Sequence, residues 1–92
     1  MKIVIVGCGR TGAFLAGVLS EADHDVTVID LDRGSFGHLP RDFKGTTLLG
    51  NGTDLDVLRS AGIDKADALL TLTQGDPRYA WSVNELVVYA AD

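Results

Sequence analysis

The run from Ile3 to Gly12, IVIVGCGRTG, constrains this chain more than any other ten residues. Four β-branched apolar residues lead without a break into glycines at 7, 9 and 12. The run over Lys2–Val6 reads as a short buried strand. Glycine directly after such a strand has two physical uses. It can make a tight strand-to-helix turn, or it can let the backbone come close to a phosphate group.

The residues that follow supply the setting. Thr11–Ala22 carries Ala13, Leu15, Ala16, Val18 and Leu19 at helical spacing, which predicts a helix with one apolar face. Glu21–Asp25 closes it with polar turn residues, and Val26–Asp30 (VTVID) reads as a second strand. Gly34, Gly37 and Pro40 break the next stretch, leaving room for a short helix over Ser35–Leu39. Thr46–Gly50 predicts a third strand. Asp54 or Thr53 can cap a helix over Leu55–Ala61, with Gly62 at its C-terminal end. A fourth strand is expected near Ala68–Leu72. The tail Tyr79–Ala91 is expected to be a last helix, although LVVY alone suits a strand equally.

Strands alternating with helices imply parallel pairing through crossovers. The expected fold class is α/β, a Rossmann-like parallel sheet in the order 3-2-1-4 with helices on both faces. At 92 residues the chain is one domain, residues 1–92. No apolar run approaches the ~20 residues of a membrane span, and no signal-peptide pattern appears, so a cytoplasmic location is expected. A formal net charge of −5, with eight scattered basic residues, argues against a nucleic-acid partner. A single cysteine rules out an internal disulfide framework.

In this setting G-x-G-x-x-G has its phosphate-binding context. Gly7 allows the turn, Gly9 lets a pyrophosphate approach, and Gly12 permits close helix–strand packing. The helix amino end adds unpaired N–H donors. Asp30 ends the second strand 18 positions after Gly12, near the spacing of a ribose-binding acid. A carboxylate there accepts ribose hydroxyls and repels a 2′-phosphate, which disfavours NADP. Arg10 can pair with phosphate oxygens. Cys8 is read as a small residue in a tight turn, with a lowered pKa beside the helix terminus as the alternative. Asn51 is either an adenine contact or an Asn-Gly turn residue. Asp32 reads as a surface acid. Thr71, Thr73 and Asp76 lie at the same sheet edge, as ligand contacts or as a helix cap. His24 and His38 sit in turns without partners at a telling spacing, so neither a triad nor a metal site is expected.

Three segments, KIVIVGCGRTGAFLAGVLSEADHDVTVIDLD, LLGNGTD and LRSAGIDKADALLTLTQGD, resemble the RCK/KTN family, the TrkA N-terminal domain. The likeness runs from Met1 to about Asp76. It implies a regulatory module rather than an enzyme, placed at the cytoplasmic face of a Trk/Ktr-type potassium transporter or a potassium channel. It implies binding of NAD(H), with ATP or ADP as alternatives, and gating through rearranged homo-oligomers. By position, Gly7, Cys8, Gly9, Arg10, Thr11 and Gly12 would form the phosphate loop. Asp30 and Leu31 would stand at the ribose, Asn51 and Gly52 near the adenine, and Thr73 at the far end. Tyr79 stands where the family has Asn, and the family continues through further strands. A shortened sheet with an exposed edge strand, and dimerisation through the apolar tail, are therefore expected. The other class of reading is the cofactor-binding fragment of an NAD-dependent oxidoreductase.

Overall fold

The computed structural model describes residues 1–71 and the segment 87–90. Four parallel strands, β1 (Lys2–Val6), β2 (Asp25–Asp30), β3 (Thr46–Leu49) and β4 (Ala68–Thr71), form a sheet in the order β3-β2-β1-β4. The expected fold class and strand order hold. Helix α1 (Arg10–Glu21) connects β1 to β2, and α2 (Leu55–Ser60) lies between β3 and β4. Short 3-10 helices cover Arg33–His38 and Ile63–Lys65.

β1 is the centre of the sheet and is buried on both faces. Ile3 and Ile5 join Val26, Val28, Ala13 and Ala16 under α1. Val4 and Val6 join Ile29, Ala61 and Ala66 on the α2 side. This division follows from the two-residue period of a strand, and it explains why β1 is continuously apolar rather than alternating. Lys2 pairs with Asp25 and Ile3 with Ala68 across β1's two edges. The start of β4 is fixed by Asp67: its carboxylate accepts the Lys2 N–H at 2.7 Å, and its own N–H donates to the Lys2 carbonyl at 2.7 Å.

The local stop and start signals behave as their chemistry dictates. Asp54 caps α2 by accepting the Asp56 N–H at 2.9 Å, and Gly62, at φ 88°, follows its end. The apolar face of α1 needs correction at Val18. The helix buries Gly12, Ala13, Ala16 and Ser20 and packs Leu15 and Leu19 against the same core, while Val18 is 49% exposed and Phe14 is exposed as well.

The tail also needs correction. Val87–Ala90 is a strand, β5, paired antiparallel to β4 with Ala68 opposite Ala90 and Thr71 opposite Val87. The outer edge of β4 offers a row of unpaired backbone groups, and this short apolar segment satisfies them. β4 is therefore not an exposed edge. The rest of the expected last helix, residues 79–86 and 91, lies outside the described residues.

Candidate functional site

The carboxyl ends of β1 and β2 meet at the glycine turn. Gly7 has φ 106°, a conformation that L side chains rarely adopt, and its N–H donates to the Ile29 carbonyl at 2.8 Å. The turn thus extends the β1–β2 ladder by one residue before the chain leaves the sheet. Cys8 is fully buried in the core beneath α1. Burial pushes its thiol up to about 11, and the charge of Asp30 adds to the effect. Desolvation therefore overrides any lowering by the helix terminus, and Cys8 is a packing residue with a protonated thiol.

α1 begins without a capping side chain. Gly9 stands at its N-cap position, and the Ala13 N–H is the first to find an intrahelical acceptor, the Gly9 carbonyl at 2.9 Å. The amides of Gly9, Arg10, Thr11 and Gly12 have no acceptor among the described residues. Gly9, Arg10 and Thr11 are exposed, and Gly12 is buried. Gly9 has φ −76° and ψ −167°, which any residue can adopt, and a Cβ there would meet no atom of the described residues within 4 Å. Neither backbone conformation nor packing among the described residues demands glycine at this position.

Asp30 ends β2 and is 4% exposed. Its Oδ2 accepts the Cys8 N–H at 2.8 Å and its Oδ1 accepts the Asp32 N–H at 2.8 Å. The acid found from its spacing therefore first builds the turn. Leu31 is half-buried in the α2-side core. Asp32 is exposed and caps the following 3-10 helix by accepting the Gly34 N–H at 2.9 Å.

The end of β3 adds a neighbouring turn. Asp30 lies opposite Leu49, and its carbonyl accepts the Gly50 N–H at 2.9 Å. Asn51 Oδ1 accepts from the backbone N–H and the hydroxyl of Thr53, at 2.9 and 2.7 Å. Asn51 is thus the turn residue, while its Nδ2 has no partner among the described residues. Gly52 is buried, and a Cβ on it would run into the Val6 side chain. Its glycine is required by packing against the end of β1. Thr71 ends β4 opposite Val6 and is buried. Thr73 and Asp76 lie outside the described residues.

His38, expected in a turn without a partner at a telling spacing, makes a contact that the sequence did not show. His38 Nδ1 lies 3.2 Å from the Cys8 carbonyl and 2.9 Å from the Ser35 carbonyl. A histidine in a glycine-rich stretch carries no spacing signal that would reveal this contact. On the outer side of α1, a separate open groove of about 830 Å³ is lined by Phe14, Gly17, Val18 and Pro40, with Arg10 and His38 at the loop end. No group of three or more metal-ligating side chains occurs among the described residues, and none of their helices is long and apolar enough to cross a membrane.

Comparison with known proteins agrees with this geometry. The family model of the TrkA-N domain matches residues 3–87. A Trk system potassium uptake protein TrkA of Streptomyces coelicolor is 47% identical over 76 residues, 83% of this chain and 34% of the relative. A TrkA homolog of Pyrococcus abyssi is 37% identical over the same shares. A TrkA of Halomonas elongata is 38% identical over 83% of this chain and 17% of its own length. The chain spans about a third or less of the relatives it matches.

Proposed function

This chain belongs to the TrkA-N domain family, and we propose that it is a nucleotide-binding regulatory module of a potassium uptake system. The observation that carries the nucleotide reading is Gly9. A glycine that no contact among the described residues requires stands among four amides without acceptors among those residues, at the start of a helix with no capping side chain there. An anionic group placed there supplies the missing acceptors and occupies the space a side chain would fill. The relatives' names support the potassium uptake reading over an oxidoreductase fragment.

The residues divide the work. The amides of Gly9, Arg10 and Thr11 hold a pyrophosphate, and the exposed Arg10 guanidinium adds charge-assisted bonds to it. Asp30, at the end of β2 beside the glycine turn, receives a ribose hydroxyl. Asn51 Nδ2 donates to an adenine edge, with Gly52 keeping that turn close to Val6. NAD(H) is the favoured ligand, with ATP and ADP as the alternatives. The module acts as a homo-oligomer on the cytoplasmic side of a membrane potassium transporter. Bound nucleotide biases the transporter only through a difference in affinity between two arrangements of the assembly.

The test is a thermal-shift titration of the chain with NAD⁺, NADH, NADP⁺, ATP, ADP and AMP, repeated on Arg10→Gln. Arg10 is exposed and has no ion-pair partner among the described residues, so the variant keeps the fold. Losing a charge-assisted bond to phosphate weakens binding about 10- to 100-fold. A shift with NAD(H) or ATP/ADP that falls in the variant is expected. No shift with any of the six ligands refutes the nucleotide reading.

A further inference from the structure

Cys8, the middle of the glycine turn, is gripped on three sides. Its side chain is buried in the core, its N–H donates to Asp30, and its carbonyl faces His38 Nδ1 at 3.2 Å. The same nitrogen lies 2.9 Å from the Ser35 carbonyl. Carbonyl oxygens only accept, so Nδ1 carries the hydrogen and shares it between them. The segment that brings His38 back is itself anchored at its start, where the Asp32 N–H donates to the other oxygen of Asp30. Residues 30–38 therefore leave the loop at one end of Cys8 and return to its other end.

The consequence lies in the next peptide plane. The Cys8 carbonyl and the Gly9 N–H belong to one planar trans unit and point in opposite directions. Holding the carbonyl on His38 sets the direction of the Gly9 N–H, the first of the four amides without an acceptor. We propose that His38 is a positioning residue of the nucleotide loop, its Nδ1–H orienting the Cys8–Gly9 peptide so that the Gly9 N–H faces the bound phosphate. The proposal rests on the nucleotide reading above. His38 is exposed, so its core contribution is small and its removal is felt in binding more than in folding.

The test compares the unsubstituted chain with His38→Leu and His38→Asn, titrated with NAD⁺ and ATP by calorimetry. Asn carries an N–H donor at the same distance from Cβ as the imidazole Nδ1. His38→Leu is expected to weaken binding about 3- to 10-fold, one neutral hydrogen bond, with the melting temperature of the ligand-free protein moved by under about 4 °C. His38→Asn is expected to restore affinity to within about twofold. Equal affinity in His38→Leu, or no rescue by Asn, overturns the proposal. Nitrogen NMR of the imidazole in the unsubstituted chain decides independently of both variants' folding. The Nδ1–H tautomer is expected, and the Nε2–H tautomer overturns the proposal. If the unsubstituted chain binds neither nucleotide, the functional reading fails alone, and the NMR result still decides whether His38 orients the loop.

Discussion

Gly9→Ala separates what the fold requires from what a ligand requires. The added methyl would meet no atom of the described residues within 4 Å, and φ −76° with ψ −167° suits alanine. Two small terms then act on the ligand-free protein. Replacing glycine at a compatible position stabilises by about 0.4–1 kcal/mol through the unfolded chain. Alanine is a poorer N-cap than glycine, which removes a similar amount. The net change is within about 1 kcal/mol, or no more than roughly 4–8 °C in a domain of this size. Binding responds differently, because the methyl stands where a phosphate must approach the amides. At 100 times its dissociation constant a ligand contributes about 2.7 kcal/mol. A tenfold loss of affinity at the same concentration leaves about 1.4 kcal/mol, a deficit of roughly 5–10 °C in the ligand-induced shift. Differential scanning fluorimetry with and without NAD⁺ or ATP reads both quantities. If Gly9→Ala keeps the full ligand shift, or melts more than about 8 °C lower without ligand, the reasoning about Gly9 is wrong.

Gly52→Ala should show the reverse pattern: the new methyl collides with Val6, and overpacking of this kind costs about 1–3 kcal/mol of stability, seen in ligand-free melting. Asp30→Asn places an amide NH₂ where one of two backbone N–H groups needs an acceptor, so the ligand-free protein should lose about 1.5–3 kcal/mol by urea unfolding. A loss of binding in that variant would not by itself locate the ribose. The Cys8 thiol, raised from 9.0 to about 11, favours its protonated form in the folded state. Stability from this group is fully present below about pH 9 and declines as pH rises through about 11, by some 2–3 kcal/mol. Cys8→Ala should flatten that part of a pH–stability profile while costing some packing.

The parts of the fold that were legible in the sequence depend on local chemistry. Ile3–Val6 can only be a buried strand, and Gly7 must take a left-handed turn. Asp54 and Gly62 bracket α2 because capping is decided within a few residues. The sheet order follows from the alternation of elements. Features decided by distant partners were not legible. VVYA is short and apolar enough for helix or strand, and the open edge of β4 settles it as β5. Val18 looked like a core residue because it is large and apolar, yet α1 packs on the core through Ala13, Ala16, Leu15 and Leu19 and leaves Val18 exposed. Asp30 was found by its spacing, but its bonds to the Cys8 and Asp32 amides are backbone contacts that no residue pattern reveals. The same holds for His38, whose partner lies 30 residues away.

The central strand has its two neighbours at very different distances along the chain. β2 follows β1 after a single helix, whereas the Lys2–Asp67 bond spans 65 residues. The hydrogen bonds that Asp30 and His38 make to the glycine turn lie within the first 38 residues. During synthesis the glycine turn therefore has these framing residues before β4 exists. One edge of β1 stays open until residue 68 arrives, and closing so long a loop is slow. The emerging chain passes through a stage in which the site is framed but its central strand is half-paired. That interval exposes an apolar strand edge to other chains, and it is where this domain is most prone to aggregate.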